Sequence, residues 1–389
     1  MWTRRLVAAL ALLAVLLPTG CDRAPSGPAE GPLRPGWEPL TLPAPQGAPG
    51  RALLRDAVAC AGRWYVVGGL ADAAGETRPA AWSSADGVSW SALPLAASSF
   101  YGRQHVLYAA ACRDGRLAAL GAKNGGAHGN PRTGTWSQAT GGALREAPAP
   151  FELYAGPRAV SVARLAAGPG GWLIAGARVD GAAVWTSPDG ERFTIREGVA
   201  ELAGDGRGRT VAYDAVAAPS GWWVVGAVLP PGTTALAPLA WSSADGRAWR
   251  RVALPAPDGR GQAQRVASAG GAVVAVGPVR AGFAAWRLAG DEWRRAGGFG
   301  AAGPGVSSVD ALVPAGRDLV AVTGDGDGHG LWLSADSGDS WREMAMPTVV
   351  PDAGNSAVAV ASLGDRLLLV ADDGEGSRAW SVGLGSVDR

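Results

Sequence analysis

Ala80-Ala81-Trp82-Ser83-Ser84-Ala85-Asp86-Gly87-Val88-Ser89-Trp90 is the stretch on which the reading of this chain turns. Small apolar residues run into a tryptophan, a polar Ser-x-Asp-Gly turn follows, and a second tryptophan opens the next segment. Upstream, 64–69 is a continuous apolar run closed by glycines, the pattern of a strand buried on both faces. With a first strand at 53–59, a third at 80–83 and a fourth at 90–93, this region reads as one four-stranded unit. The unit repeats. Trp82 is followed in phase by Trp136, Trp185, Trp241, Trp286, Trp332 and Trp380, and the buried second-strand run recurs at 117–121, 172–176, 222–226, 273–277, 319–324 and 367–371. Strand-patterned repeats of about 40–50 residues indicate the blades of a β-propeller.

The seventh repeat stops after its third strand, at Ala379-Trp380-Ser381-Val382. A fourth strand is present at the other end of the chain, where Trp37-Glu38-Pro39-Leu40-Thr41-Leu42-Pro43 reads like the fourth strand that begins at Trp249. The expected fold is therefore all-β: a seven-bladed propeller over 37–389 in which the N-terminal strand completes the last blade and leaves no open edge.

Composition agrees with many short strands and tight turns: 389 residues hold 59 Gly, 28 Pro and 17 Trp. A formal charge of +1 gives no basis for nucleic-acid binding. Lys123 is the sole lysine, so arginine carries nearly all the positive charge. The first residues have the form of an export signal, with Arg4 and Arg5 before an apolar run at 6–17. The segment 22–36 is rich in Pro and Gly and reads as an extended tether. Cys60 and Cys112 hold equivalent places in consecutive repeats, as a disulfide between adjacent blades or as two small buried thiols.

Two resemblances add to this. Leu17-Pro18-Thr19-Gly20-Cys21 resembles the lipobox of bacterial lipoproteins, which implies cleavage and acylation at Cys21 and anchorage to the outer face of the cell membrane. It departs from the motif at Pro18, which leaves simple secretion as the alternative. Ser334-Ala-Asp336-Ser-Gly338-Asp-Ser340-Trp341 resembles the Asp-box of the bacterial neuraminidase repeat at every defined position. Shortened forms recur as Ser84/Asp86/Trp90, Ser187/Asp189/Phe193 and Ser243/Asp245/Trp249, while 136–147 and 286–293 are degenerate. Physically these Ser and Asp side chains suit turn-shaping rather than chemistry.

Sialidases of that superfamily use an arginine cluster, a Tyr nucleophile with a Glu partner, and an Asp acid/base. The early Arg-Ile-Pro segment is absent here, the nearest position reading Arg51-Ala52-Leu53, and none of the five tyrosines lies in such a context. One pattern does point to a ligand. Arg51, Arg103, Arg158, Arg209 and Arg260 each precede a first strand, and together they would form an anion-attracting ring at one end of the channel. The competing reading is an ion network, with Asp56, Tyr108, Arg164, Asp214, Arg265 and Asp310 in one register around the axis. Asp325-Gly-Asp327-Gly-His329 reads as a loop lacking the spacing of a calcium site, and His105, His128 and His329 lack metal-ligand spacing. No cofactor is expected.

The functional expectation is a monomeric, extracytoplasmic binding or assembly module that recognises a protein or an acidic glycan. Photosystem II assembly factors and the sortilin ectodomain are Asp-box precedents for such a role. The alternatives are a sialidase-like or polysaccharide-acting hydrolase, and a purely structural envelope protein.

Overall fold

The computed structural model describes residues 31–125, 130–256 and 258–386. The export segment 1–21 with Cys21, the tether as far as residue 30, and His128 lie outside them. The strands form seven sheets, six of four strands and one of five, which are the seven blades of the propeller. Their innermost strands are Arg51–Cys60, Val106–Arg113, Ala159–Gly168, Arg209–Ala218, Arg265–Ala269, Ser308–Ala315 and Ala357–Leu363. In the second blade Leu95–Ala96 adds a fifth strand, parallel to Leu144–Glu146.

Closure is made by Glu38–Leu40, which pairs antiparallel with the third strand of blade seven (Glu38↔Ser381, Pro39↔Trp380, Leu40↔Ala379). The docked segment begins earlier than the sequence suggests. Leu33, assigned above to the tether, is 3% exposed and sits in the core between blades six and seven. Its N–H donates to Glu343 O (2.8 Å), its carbonyl accepts from Ala345 N (2.8 Å), and the Trp37 indole donates to Ala345 O (2.8 Å). The apolar side chain of Leu33 draws the backbone in despite the flanking prolines.

The hydrophobic core is divided into seven clusters, one at each interface between blades. Four of the seven recurring tryptophans share a task inside them. The indole N–H of Trp82 donates to Pro43 O, that of Trp185 to Leu153 O, that of Trp241 to Glu201 O and that of Trp286 to Pro255 O, each at 2.7–2.8 Å. Every acceptor lies on the crossover that enters the same blade from its neighbour. These four fill the interblade core and also satisfy a carbonyl of the connecting chain, whereas Trp136 donates to His105 Nδ1 and Trp332 to Thr323 Oγ1.

The turns between third and fourth strands are built alike. In the first, Ser84 Oγ donates to Asp86 Oδ1 and accepts from Gly87 N, while Val88 N and Ser89 N donate to Asp86 Oδ1 (2.7–2.9 Å). Gly87 has φ +75°, left-handed backbone at which a Cβ would also press on the Trp64 indole. The same bonds recur at Ser187/Asp189, Ser243/Asp245 and Ser334/Asp336. The closing aromatics Trp90, Phe193 and Trp249 are buried beneath them. Backbone N–H donors hold the Asp86 and Asp245 carboxyls well below the usual carboxylate range.

Candidate functional site

Five of the inner strands carry a one-residue register shift in their pairing with the second strand, at the bulges after Leu54, Leu107, Val162, Ala212 and Val309. The bulges correct the register inferred from spacing. Asp56, Arg164 and Asp214 are the first residues paired beyond the bulge, whereas Tyr108 and Asp310 are the bulged residues themselves, in line with Arg55 and Tyr213. Sequence spacing cannot see this, because the extra residue leaves the period almost unchanged.

Around the axis these groups form a connected network. Arg164 Nη1 donates to Asp56 Oδ2 (3.0 Å) and its Nη2 to the carbonyl of Asp310, which also accepts from Arg265 Nε (2.9 Å). Asp56 bridges to the next blade through Ala110 N (2.9 Å), and Asp214 does so through Val266 N (3.1 Å). Burial pushes both carboxyls up against the pull of Arg164 and Arg265. Burial, together with Arg164, takes Arg265 down to about 10. Asp310 Oδ2 lies 3.4 Å from His329 Nε2, a side chain 3% exposed, with Asp352 Oδ1 3.9 Å away on its other side. The 325–329 loop is held by Asp325 Oδ1, which accepts from Asp327 N and Gly328 N. Among the described residues no group of three or more His, Cys, Asp or Glu is placed to hold a metal, and no helix is long and apolar enough to cross a membrane.

Above this network, where the inner strands begin, a cavity of about 600 Å³ opens at the channel mouth over blades one to three. Of the five arginines that open the repeats, only Arg51 lines it. Arg158 pairs with Asp180 and Glu197 of its own blade, Arg103 lies over the Phe100 ring (5.9 Å), and Arg209 and Arg260 are exposed. Arg51 is joined instead by Arg55. The two guanidinium groups grip opposite oxygens of Asp372, at 2.8 and 2.6 Å, and that carboxylate is completely buried. Arg55 also donates to Leu54 O and Asn355 O, while Arg51 uses only Nη1 among the described residues. Its remaining donors and a third of its side-chain surface stay available. Asn124, Asn130, Asn355, Ser161, Thr77, Thr133, Tyr108 and Tyr154 complete the polar lining, and no Asp or Glu is among the described lining residues. Arg55, Asp372 and the asparagines were missed by the sequence reading. The one visible signal was an Asp ending the apolar run 367–371.

A second cavity of about 320 Å³ adjoins the first, sharing Thr133 and Tyr154 with it. Its floor holds His105, which is 2% exposed and whose Nδ1 accepts the Trp136 indole N–H (3.1 Å). Burial lowers the His105 pKa, against the opposing charge of Glu146. A neutral folded-state imidazole means that the unfolded chain binds the extra proton. Stability is therefore complete above about pH 6.5 and falls as the pH drops through the lowered folded value. Urea midpoints for His105→Gln are expected to lose the slope that the unsubstituted protein shows as the pH falls below about 6.5. An unchanged slope would place the titrating group elsewhere.

Cys60 and Cys112, at the ends of the first two inner strands, are joined in a disulfide with Cα atoms 5.4 Å apart.

No family profile and no curated protein matches the chain. Among solved structures, a puromycin hydrolase aligns with TM-score 0.52 at 14% identity, over 87% of this chain and 52% of that one. A prolyl endopeptidase gives the same TM-score and identity, over 87% and 48%. The sialidase of Trypanosoma rangeli aligns with TM-score 0.42 at 10% identity, over 91% and 58%. This chain thus spans about half the length of these enzymes, and the likeness is one of propeller fold.

Proposed function

We propose that this protein is an extracytoplasmic, lipid-anchored binding or assembly module of the Asp-box type, and that its channel-mouth cavity takes an anionic ligand. The observation that carries the reading is the lining of that cavity: Arg51 and Arg55, amides and hydroxyls, and no described carboxylate. Guanidinium groups bind carboxylate or sulfate through paired N–H donors, and Arg51 keeps donors for that purpose. Hydrolysis of a glycoside commonly relies on two carboxylates flanking the bond. The raised carboxyls, Asp56 and Asp214, are engaged by backbone N–H groups and by the axial arginines rather than facing the cavity. The four Ser-x-Asp turns support the Asp-box resemblance, and the Cys60–Cys112 disulfide supports an oxidising compartment.

The test is calorimetric titration of the full chain with uronate, sulfated and neutral sugars, alongside Arg51→Gln and an assay for released reducing ends. Saturable binding of acidic sugars, lost in Arg51→Gln and without turnover, is the expected result. Turnover would establish the hydrolase instead. For the anchor, Cys21→Ala is expected to move the protein from the membrane fraction to the soluble one; an unmoved protein would count against lipidation.

A further inference from the structure

We infer that three exposed rings beside the channel mouth form a stacking shelf, and that the ligand is an acidic oligosaccharide running from Arg51 across this shelf. The inference rests on the anion-binding reading above and gives the ligand its chemical class.

Phe100, Tyr101 and Phe151 are 62, 41 and 51% exposed, and every other large hydrophobic side chain exposed to this degree among the described residues is a valine. The rings come from two different crossovers and are gathered by one cation. The Arg132 guanidinium lies 5.3 Å from the Tyr101 ring centre and 4.6 Å from that of Phe151, and Phe100 stands edge-on to Tyr101 at 5.3 Å. Pro131 and Thr133, the neighbours of Arg132, line the anion cavity, so the shelf and the cavity form one continuous surface.

Glu146 braces the loop that carries two of the rings. It accepts from Ser98 N, Ser99 N and both serine hydroxyls, which occupies its charge within the loop. Exposed ring faces set among Arg and Asn, rather than a continuous apolar groove, match a ligand with apolar C–H faces and many hydroxyls. A docked peptide helix would need unbroken apolar anchors. The acidic unit then sits at Arg51, and the following units lie on the rings.

Calorimetry of the full chain with galacturonic acid, oligogalacturonides of increasing length, and heparin-derived oligosaccharides of increasing length tests this, with uncharged malto-oligosaccharides as control. In at least one acidic series the longer members are expected to bind about tenfold more tightly than the shortest. A Tyr101→Ala/Phe151→Ala protein keeps the affinity for the shortest member and loses the gain with length. Arg51→Gln loses both. Should that variant misfold, Ser161→Glu, which places a carboxylate in the cavity without touching Asp372, gives the same loss. A length gain absent from the unsubstituted protein, or surviving in the ring variant, overturns the shelf while Arg51-dependent binding keeps the anion reading. Binding of acidic peptides but of neither saccharide series would assign the surface to a protein partner and overturn the inference. Binding of no anion at all overturns both.

Discussion

Asp372→Ala lowers the stability of this protein by about 3 kcal/mol, although among the described residues it pairs with no charged group other than two arginines of a neighbouring blade. The physics is that of a broken buried pair. Asp372 is wholly buried and each of its oxygens accepts from a guanidinium, so its loss leaves two cations facing each other with nothing between them. The expected cost lies at the lower end of the range for such breaks because the Arg51 side chain is 32% exposed and can turn to water. Urea denaturation at neutral pH measures the loss. Removing all three charges together, with Arg51→Gln and Arg55→Gln added, is expected to recover part of it, since the uncompensated cations go as well. A loss below about 1 kcal/mol for Asp372→Ala would mean that solvent already screens the pair.

Replacing Cys60 and Cys112 together by Ser lowers stability by about 2–4 kcal/mol. The bond closes a loop of 52 residues, for which chain entropy alone gives roughly 4 kcal/mol. The effect has an expected location. The bond joins the ends of the inner strands of blades one and two, so amide exchange is expected to quicken in Arg51–Cys60 and Val106–Arg113 before it does in the opposite blades. Uniform acceleration around the ring would show instead that the blades open together.

Much of the fold was legible because its signals are local. The second-strand runs are apolar throughout and flanked by Gly, and the third-strand tryptophans recur because each fills the core between blades, four of them also reaching a crossover carbonyl. The closing strand was readable because its sequence imitates a fourth strand from elsewhere in the chain. The site was less legible, for two physical reasons. Side chains as long as arginine choose carboxylates that spacing does not reveal: Arg158 finds Asp180 and Glu197 nearby, while Arg51 finds Asp372 at a separation of 321 residues. Bulges then displace Tyr108 and Asp310 by one residue from the positions that the repeat period assigns them, and one residue along a strand turns a side chain to the opposite face.

The closing strand also orders events in time. Glu38–Leu40 is made before any blade of the ring, and its partners Ala379, Trp380 and Ser381 lie in the last of the ring's strands to be made. While synthesis is under way, the early segment has no strand to join, and blade seven does not yet exist. Completion of the ring therefore waits until the third strand of blade seven has been made, and a product cut before it leaves Glu38–Leu40 unpaired and the side of blade one that faces blade seven uncovered. Such a fragment presents apolar surface and open backbone groups of the kind that chaperones and proteases act on. Ring closure thus separates a closed molecule from an open one by the surface and backbone groups each exposes.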